Sequence, residues 1–198
     1  MAAMLSREGN HCMLRIVTLA ALLASATAAW AESIEEKAEV CSVCHGMNGL
    51  PEDPTVPIIW GQNEGYLYLQ FRDFQKGARR DDRMTPIAQA VGKEDALALA
   101  EYFAAKRWPA DGAPAASKTE ANVASVAIKS VVCTSCHLEE FQGDSSVPRL
   151  AGQVHGYLLK TMTDFRDHAR ANNPGMSDLM NTATPEQLAA MANYLAGL

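Results

Sequence analysis

Five residues, Cys41-Ser42-Val43-Cys44-His45, carry the sharpest chemical signal in the chain, and the pattern returns as Cys133-Thr134-Ser135-Cys136-His137. Two thiols three positions apart can take up the two vinyl groups of a haem as thioethers, and an imidazole next in line can reach the iron on the same face. Shuffling five Cys and five His through 198 residues would produce C-x-x-C-H only roughly 0.003 times per chain, so chance does not account for two. Other chemistries use paired cysteines. One zinc ion can be held by two such pairs, but zinc has no need of a His after each second Cys, and structural sites rarely separate their pairs by about 90 residues. A thioredoxin-like redox pair needs a βαβ setting, and none is visible here. The pattern therefore points to two covalently bound haem c groups, attached through Cys41, Cys44, Cys133 and Cys136, with His45 and His137 each filling one axial position of an iron.

What lies opposite each imidazole decides whether an iron is closed. Met84 follows His45 by 39 residues, and Met176 follows His137 by the same 39. A methionine alone is more often a filler of irregular core space than a ligand. Equal spacing from two fixed points reverses that preference and marks Met84 and Met176 as the sixth ligands. Met180 competes, four residues after Met176, whereas Met47 is too near its own motif to cross a porphyrin. His155, His168, Met162 and Met191 read as surface or packing residues.

The elements that position these groups come in two copies. Residues 56–79, VPIIWGQNEGYLYLQFRDFQKGAR, and residues 147–170, VPRLAGQVHGYLLKTMTDFRDHAR, share 11 of 24 aligned positions. Each copy is about eighty residues, a length suited to a small domain whose core is completed by a large apolar cofactor. The pattern predicts a helix from Ile34 that the first haem motif closes, a helix over 64–76 ended by Gly77, and a helix over 93–106 with acids in its first turn and bases in its last. Thr184-Pro185-Glu186-Gln187 reads as a capping box opening a further helix whose face of Leu188, Met191 and Leu195 belongs to a core. Asn48-Gly49 marks a turn. No run alternates long enough to make a strand. The chain is thus expected to be all-α, with domains over 32–107 and 123–198, each of three to five helices around one haem, joined by a linker over 108–122 that is rich in Ala, Pro and Asp.

Arg15, an apolar run over 16–29 and the small-residue exit Ala29-Trp30-Ala31 have the form of a secretory signal, so residues 1–31 are expected to be cleaved before Glu32. Met13 could itself start a compact signal. The run is about fourteen residues, short of the roughly 18 needed to span a bilayer, which leaves an uncleaved anchor as the minor alternative. Cleavage would also remove Cys12, leaving four cysteines, all in the two motifs. The remaining chain holds 15 basic and 22 acidic side chains, a formal charge of −7, once Arg7, Arg15 and Glu8 are taken from the full chain's 17 and 23. Such a balance argues against nucleic acid and suits a partner with a basic docking patch.

Taken together, the two C-x-x-C-H motifs, Gly-Gln followed by Gly-Tyr, the Phe-Arg-Asp-Phe and Gly-Ala-Arg run, and the downstream methionines resemble the dihaem cytochrome c4 family over nearly the whole mature chain. The cytochrome subunits of flavocytochrome c sulfide dehydrogenases share much the same plan. The resemblance implies two tandem cytochrome c-like domains, one haem held by Cys41, Cys44, His45 and Met84, and the other by Cys133, Cys136, His137 and Met176. It also implies that the carbonyls of Pro57 and Pro148 support the two histidines. Trp60 before Gly61, Leu138 after the second motif, and the shortened acidic loop over 139–144 depart from the family pattern.

The function these features imply is that of a periplasmic dihaem carrier of single electrons, fed by a quinol-oxidising complex or a dehydrogenase and feeding a terminal oxidase or reductase. Any contact with a membrane would be peripheral or through an uncleaved signal. Phosphate-loop, zinc-protease and nucleophile-elbow motifs are absent from the sequence, so the chain is read as a carrier and not an enzyme. Two alternatives stand beside this: an electron-transfer subunit of a flavin or quinoprotein dehydrogenase, and a dihaem peroxidase or reductase in which one iron gives up its Met.

Overall fold

Ser33 opens helix α1, Ile34–His45, with a reciprocal cap: its hydroxyl accepts from the Glu36 amide, and the Glu36 carboxylate accepts from the Ser33 amide. The helix runs without a break through the whole first cysteine motif. The computed structural model describes residues 32–109 and 114–198. The segment read as a signal, with Cys12, lies outside them, as do residues 110–113 of the linker. Beyond α1 the first copy contains α2, Glu64–Gln75, α3, Met84–Ala90, and α4, Lys93–Ala104. The second contains α5, Lys118–Ser130, α6, Thr134–His137, α7, His155–Arg166, α8, Pro174–Met180, and α9, Pro185–Ala196. Among the described residues there is no strand, only an isolated antiparallel bridge between Asp144 and Val147. No helix among them is long and apolar enough to cross a membrane.

Most of these elements follow the sequence pattern, and the differences have local causes. Helix α4 stops at Ala104, so Lys106 lies beyond its last turn, where its ammonium sits 4.0 Å from the centre of the Tyr102 ring. Residues 118–122 are not linker but the start of α5, capped by Ser117 and Glu120 in the same reciprocal way as α1. In the second copy the motif is broken off its helix: Val132 takes φ 49°, and Cys133–His137 continue on the single turn α6.

Each copy packs its last helix across the others. Leu99, Ala100 and Phe103 of α4 meet Ala38 of α1 and Leu67 of α2. Leu188, Met191 and Leu195 of α9 meet Ala124 and Ile128 of α5 and Leu158, Met162 and Phe165 of α7. In both, a Gly-Gln loop ties to this helix, Gly61 N–H donating to Phe103 O and Gly152 N–H to Leu195 O, each at 2.8 Å.

The same Gly-Gln loops join the copies within the compact unit Ser33–Leu198. The Gln62 side chain accepts from Arg149 N at 2.8 Å and donates to Arg149 O at 3.0 Å. Gln153 does the same to Ile58, at 2.8 and 3.0 Å. Next to these pairs, a Cβ on Gly65 would fall 2.9 Å from Ser145 O and one on Gly156 only 2.5 Å from Pro54 O, so backbone meets backbone where only glycine leaves room. The seam is self-complementary in the manner of a two-fold dimer, built within one chain.

Candidate functional site

The two histidines are fixed before anything binds them. His45 Nδ1 lies 2.8 Å from Pro57 O, and His137 Nδ1 lies 2.9 Å from Pro148 O. A carbonyl can only accept, so each Nδ1 carries the proton and each Nε2 is left as a free lone pair. Burial holds both imidazoles below their usual range, hence neutral at pH 7. The support expected from Pro57 and Pro148 is present in both copies.

Cys41, Cys44, His45 and Met84 line one wall of a largely apolar cavity, and Cys133, Cys136, His137 and Met176 line another part of the same cavity. All four cysteines are unpaired thiols. Burial pushes the Cys41 thiol up, and the Cys133 thiol up to about 11. Both are therefore protonated thiols at neutral pH and not reactive thiolates. Met84 is the first residue of α3, its amide donating to the Asp81 carboxylate at 3.0 Å, and Met176 lies in the first turn of α8, its amide donating to the Asn173 side chain at 3.2 Å. Met47 is 73 % exposed and lies away from the cavity, while Met162, Met180 and Met191 share the wall with Met176. His155 and His168 do not line it. No three Cys, His, Asp or Glu side chains converge as a metal cage among the described residues, which is at odds with the zinc alternative.

Comparison with known proteins agrees with this arrangement. The Cytochrome c family model matches residues 121–198. Cytochrome c4 of Azotobacter vinelandii is 32% identical over 181 residues, covering 82% of this chain and 86% of that protein. The chain belongs to the cytochrome c4 family. The cytochrome c4 structure of Acidithiobacillus ferrooxidans superposes with a TM-score of 0.73 at 31% identity, over 81% of this chain and 99% of that one. A thiosulfate dehydrogenase electron acceptor of Thiomonas intermedia is 31% identical, with coverage of 93% and 89%. The fold is thus two tandem cytochrome c domains, and the protein is a c-type cytochrome of electron transfer.

The chain carries a second constellation, at the seam, to which the sequence pattern assigned no role. Arg79 Nη2 donates to the Tyr157 hydroxyl at 3.1 Å, and Arg170 Nη2 donates to the Tyr66 hydroxyl at 3.3 Å. Each guanidinium reaches across to the other domain's tyrosine. Each also lies over a phenylalanine of its own domain, Phe74 at 4.7 Å and Phe165 at 4.4 Å. One neutral oxygen, Gln70 Oε1, accepts from both arginines, at 2.8 and 2.9 Å. No carboxylate pairs with either arginine among the described residues. Burial pushes the Tyr157 phenol up, but the charges of Arg79 and Arg170, with hydrogen bonds from Arg79 and Thr161, bring it down to about 7. Burial and the neighbouring Tyr157 hold Tyr66 above its usual range. Cations that face phenols and an amide with no carboxylate partner are costly to bury, and all four side chains line the cavity that holds the cysteine motifs. The signal in the sequence was the identity of Tyr66 with Tyr157 and of Arg79 with Arg170 across the repeat. Their crossed pairing could not be read there.

The donor set suits a c-type haem: paired free thiols, a neutral imidazole with Nε2 free, a thioether, apolar walls, and buried cations short of the carboxylates such a group carries.

Proposed function

We propose that this chain is a periplasmic dihaem carrier of single electrons, standing between a quinol-oxidising complex or dehydrogenase and a terminal oxidase or reductase. The observation that carries the proposal is the duplicated set of two thiols, a carbonyl-oriented histidine and a methionine in the first turn of a short helix, on the walls of one apolar cavity. Cys41 and Cys44 would hold one haem covalently, with His45 and Met84 as ligands to its iron; Cys133, Cys136, His137 and Met176 would hold the other. What such a group supplies is a one-electron iron couple. The chain's own residues do the rest. Pro57 and Pro148 hold the imidazoles in one tautomer and orientation, so that no ring has to turn when charge changes. Ile58, Phe74, Leu158 and Phe165 keep water from the walls. Arg79 and Arg170 offer fixed positive charge to haem carboxylates, with Tyr66 and Tyr157 as hydroxyl partners.

The mass of the purified protein should show two attached haems, and its ferric spectrum the weak far-red iron–sulfur band at the intensity of two centres. Met84→Ala and Met176→Ala should each remove half of that band, while Met180→Ala leaves it whole. A full band in either of the first two variants would overturn the ligand assignment. Export would be checked by sequencing the N-terminus of the periplasmic form, which should begin at Glu32.

A second reading, an electron-transfer subunit or partner of a dehydrogenase, is favoured by the similarity to the Thiomonas intermedia electron acceptor. Co-purification of a dehydrogenase polypeptide, with thiosulfate-dependent reduction of the cytochrome, would select it.

A further inference from the structure

The two domains, so alike around their histidines, differ where the cysteine motif meets the surface. In the N-terminal domain Val43 is 77 % exposed and Met47 is 73 % exposed, on either side of the exposed Cys44. Neither lines the cavity, although Cys44 between them does. Val40 and Ile87 are exposed too, and both line the cavity. The corresponding positions in the C-terminal domain are Ser135 and Glu139, with Glu140 next, all exposed. That domain exposes apolar residues as well, but Val132, at 51 %, lines the cavity as its counterpart Val40 does, Leu138 is exposed only to 38 %, and Val123 and Val126 stand at least seven residues before Cys133.

Around the N-terminal patch the charge has one sign. Glu39 lies one helical turn before Val43 on α1, and Glu52 and Asp82 stand exposed on the neighbouring loops. None of the three joins an ion pair among the described residues. The nearby cation Arg83 is neutralised by Asp53 at 2.7 Å. Exposed apolar side chains inside a ring of unpaired acids have the anatomy of a protein contact site, and the acids select the sign of the partner.

We propose that the N-terminal domain is the docking side of the molecule, and that Val43 and Met47 form the centre of a contact for a redox protein whose own apolar patch is ringed by lysine or arginine. The proposal rests on the electron-carrier reading. In this arrangement Val43 and Met47 set how long the complex lasts, and Glu39, Glu52 and Asp82 set how fast it forms.

Val43→Ser with Met47→Gln removes the apolar centre, which the second domain lacks at these positions, adds no charge, and leaves both C-x-x-C-H motifs intact. The probe is a lysine-rich c-type cytochrome, mixed with the holoprotein in a stopped-flow instrument, and ascorbate serves as the small reductant. Wild type should exchange electrons with the basic probe at a rate that falls steeply with salt. The double variant should lose about tenfold or more in that rate while ascorbate still reduces both haems fully, a size typical of a contact centre. Glu39→Lys with Glu52→Lys should lower the rate at low salt and flatten its salt dependence. Ser135→Ala with Glu139→Ala should change it less than twofold. An unchanged rate in the first two variants, an equal loss in the third, or a wild-type rate indifferent to salt would overturn the docking assignment alone. Failure of ascorbate to reduce the wild-type haems would overturn the carrier function beneath it.

Discussion

One position shows how much a single backbone angle can cost. After the first motif stands Gly46, at φ 90° and ψ 131°; after the second stands Leu138, at φ 66° and ψ 170°. The latter region is nearly reserved for glycine, and a side chain held there stores about 1–3 kcal/mol of strain. Replacing Leu138 with glycine removes that strain but gives the unfolded chain more freedom, a loss of roughly 0.5–1 kcal/mol. The balance should stabilise the protein by about 1 kcal/mol, seen as a rise of about 2–4 °C in the melting temperature of the holoprotein. The reverse experiment has the opposite sign. A Cβ on Gly46 would lie 2.1 Å from Leu50 O, so Gly46→Ala should destabilise by about 2–3 kcal/mol. Leu138 was legible in the sequence as an odd residue after the motif, because glycine is the residue such a turn asks for. Trp60 was equally legible as odd, yet its consequence was not: it packs against Gly49, where an added Cβ would meet the indole at 2.7 Å.

At the scale of elements, pattern worked where a helix is long and capped by its own side chains. Thr184 and Gln187 exchange the two hydrogen bonds that their spacing promised. The short helices α3 and α8 escaped, for they are seven residues long and begin on side chains outside any periodic pattern. Asp81 accepts from the Arg83 and Met84 amides, each at 3.0 Å, and its counterpart Asn173 accepts from the Met176 amide. One cap can titrate and the other cannot. Burial pushes the Asp81 carboxyl up, but the hydrogen bonds from Met84 and Arg83 and the charge of Arg83 outweigh it and hold it below the usual carboxylate range. A depressed folded pKa means that this stabilisation is fully present above an unfolded value of about 3.9 and fades as the pH falls beneath it. Acid should therefore loosen α3 before α8. The check is amide exchange at Met84 and Met176 over pH 5 to about 2.5, with Asp81→Asn expected to abolish the difference between them.

The duplication was plain from 11 shared positions in 24, but how the copies face one another was not. A repeat reveals two similar surfaces; it does not say that each glutamine turns to the other copy's backbone instead of its own. Gln62 and Gln153 each satisfy a peptide N–H and C=O of the opposite domain, and both are only 3 % exposed. Cutting either side chain back to an apolar one strands two buried backbone groups, at about 1–3 kcal/mol each. Gln153→Leu strands those of Ile58, and Gln62→Leu those of Arg149. Each should therefore cost about 2–4 kcal/mol. With both changed, what remains across the seam includes the crossed pairs of Arg79 with Tyr157 and Arg170 with Tyr66, which place two positive charges side by side and hold the domains together weakly by themselves. Single-transition unfolding needs domains whose coupling is large beside their individual stabilities. The double variant should unfold in urea in two steps, followed by amide exchange in α4 for the first domain and in α9 for the second. Coincident transitions in that variant would show that the bonds left across the seam, the arginine and tyrosine pairs together with Asn63 to Val147, Tyr66 N–H to Ser145 and Asn172 to Asp73, are enough to couple the two halves.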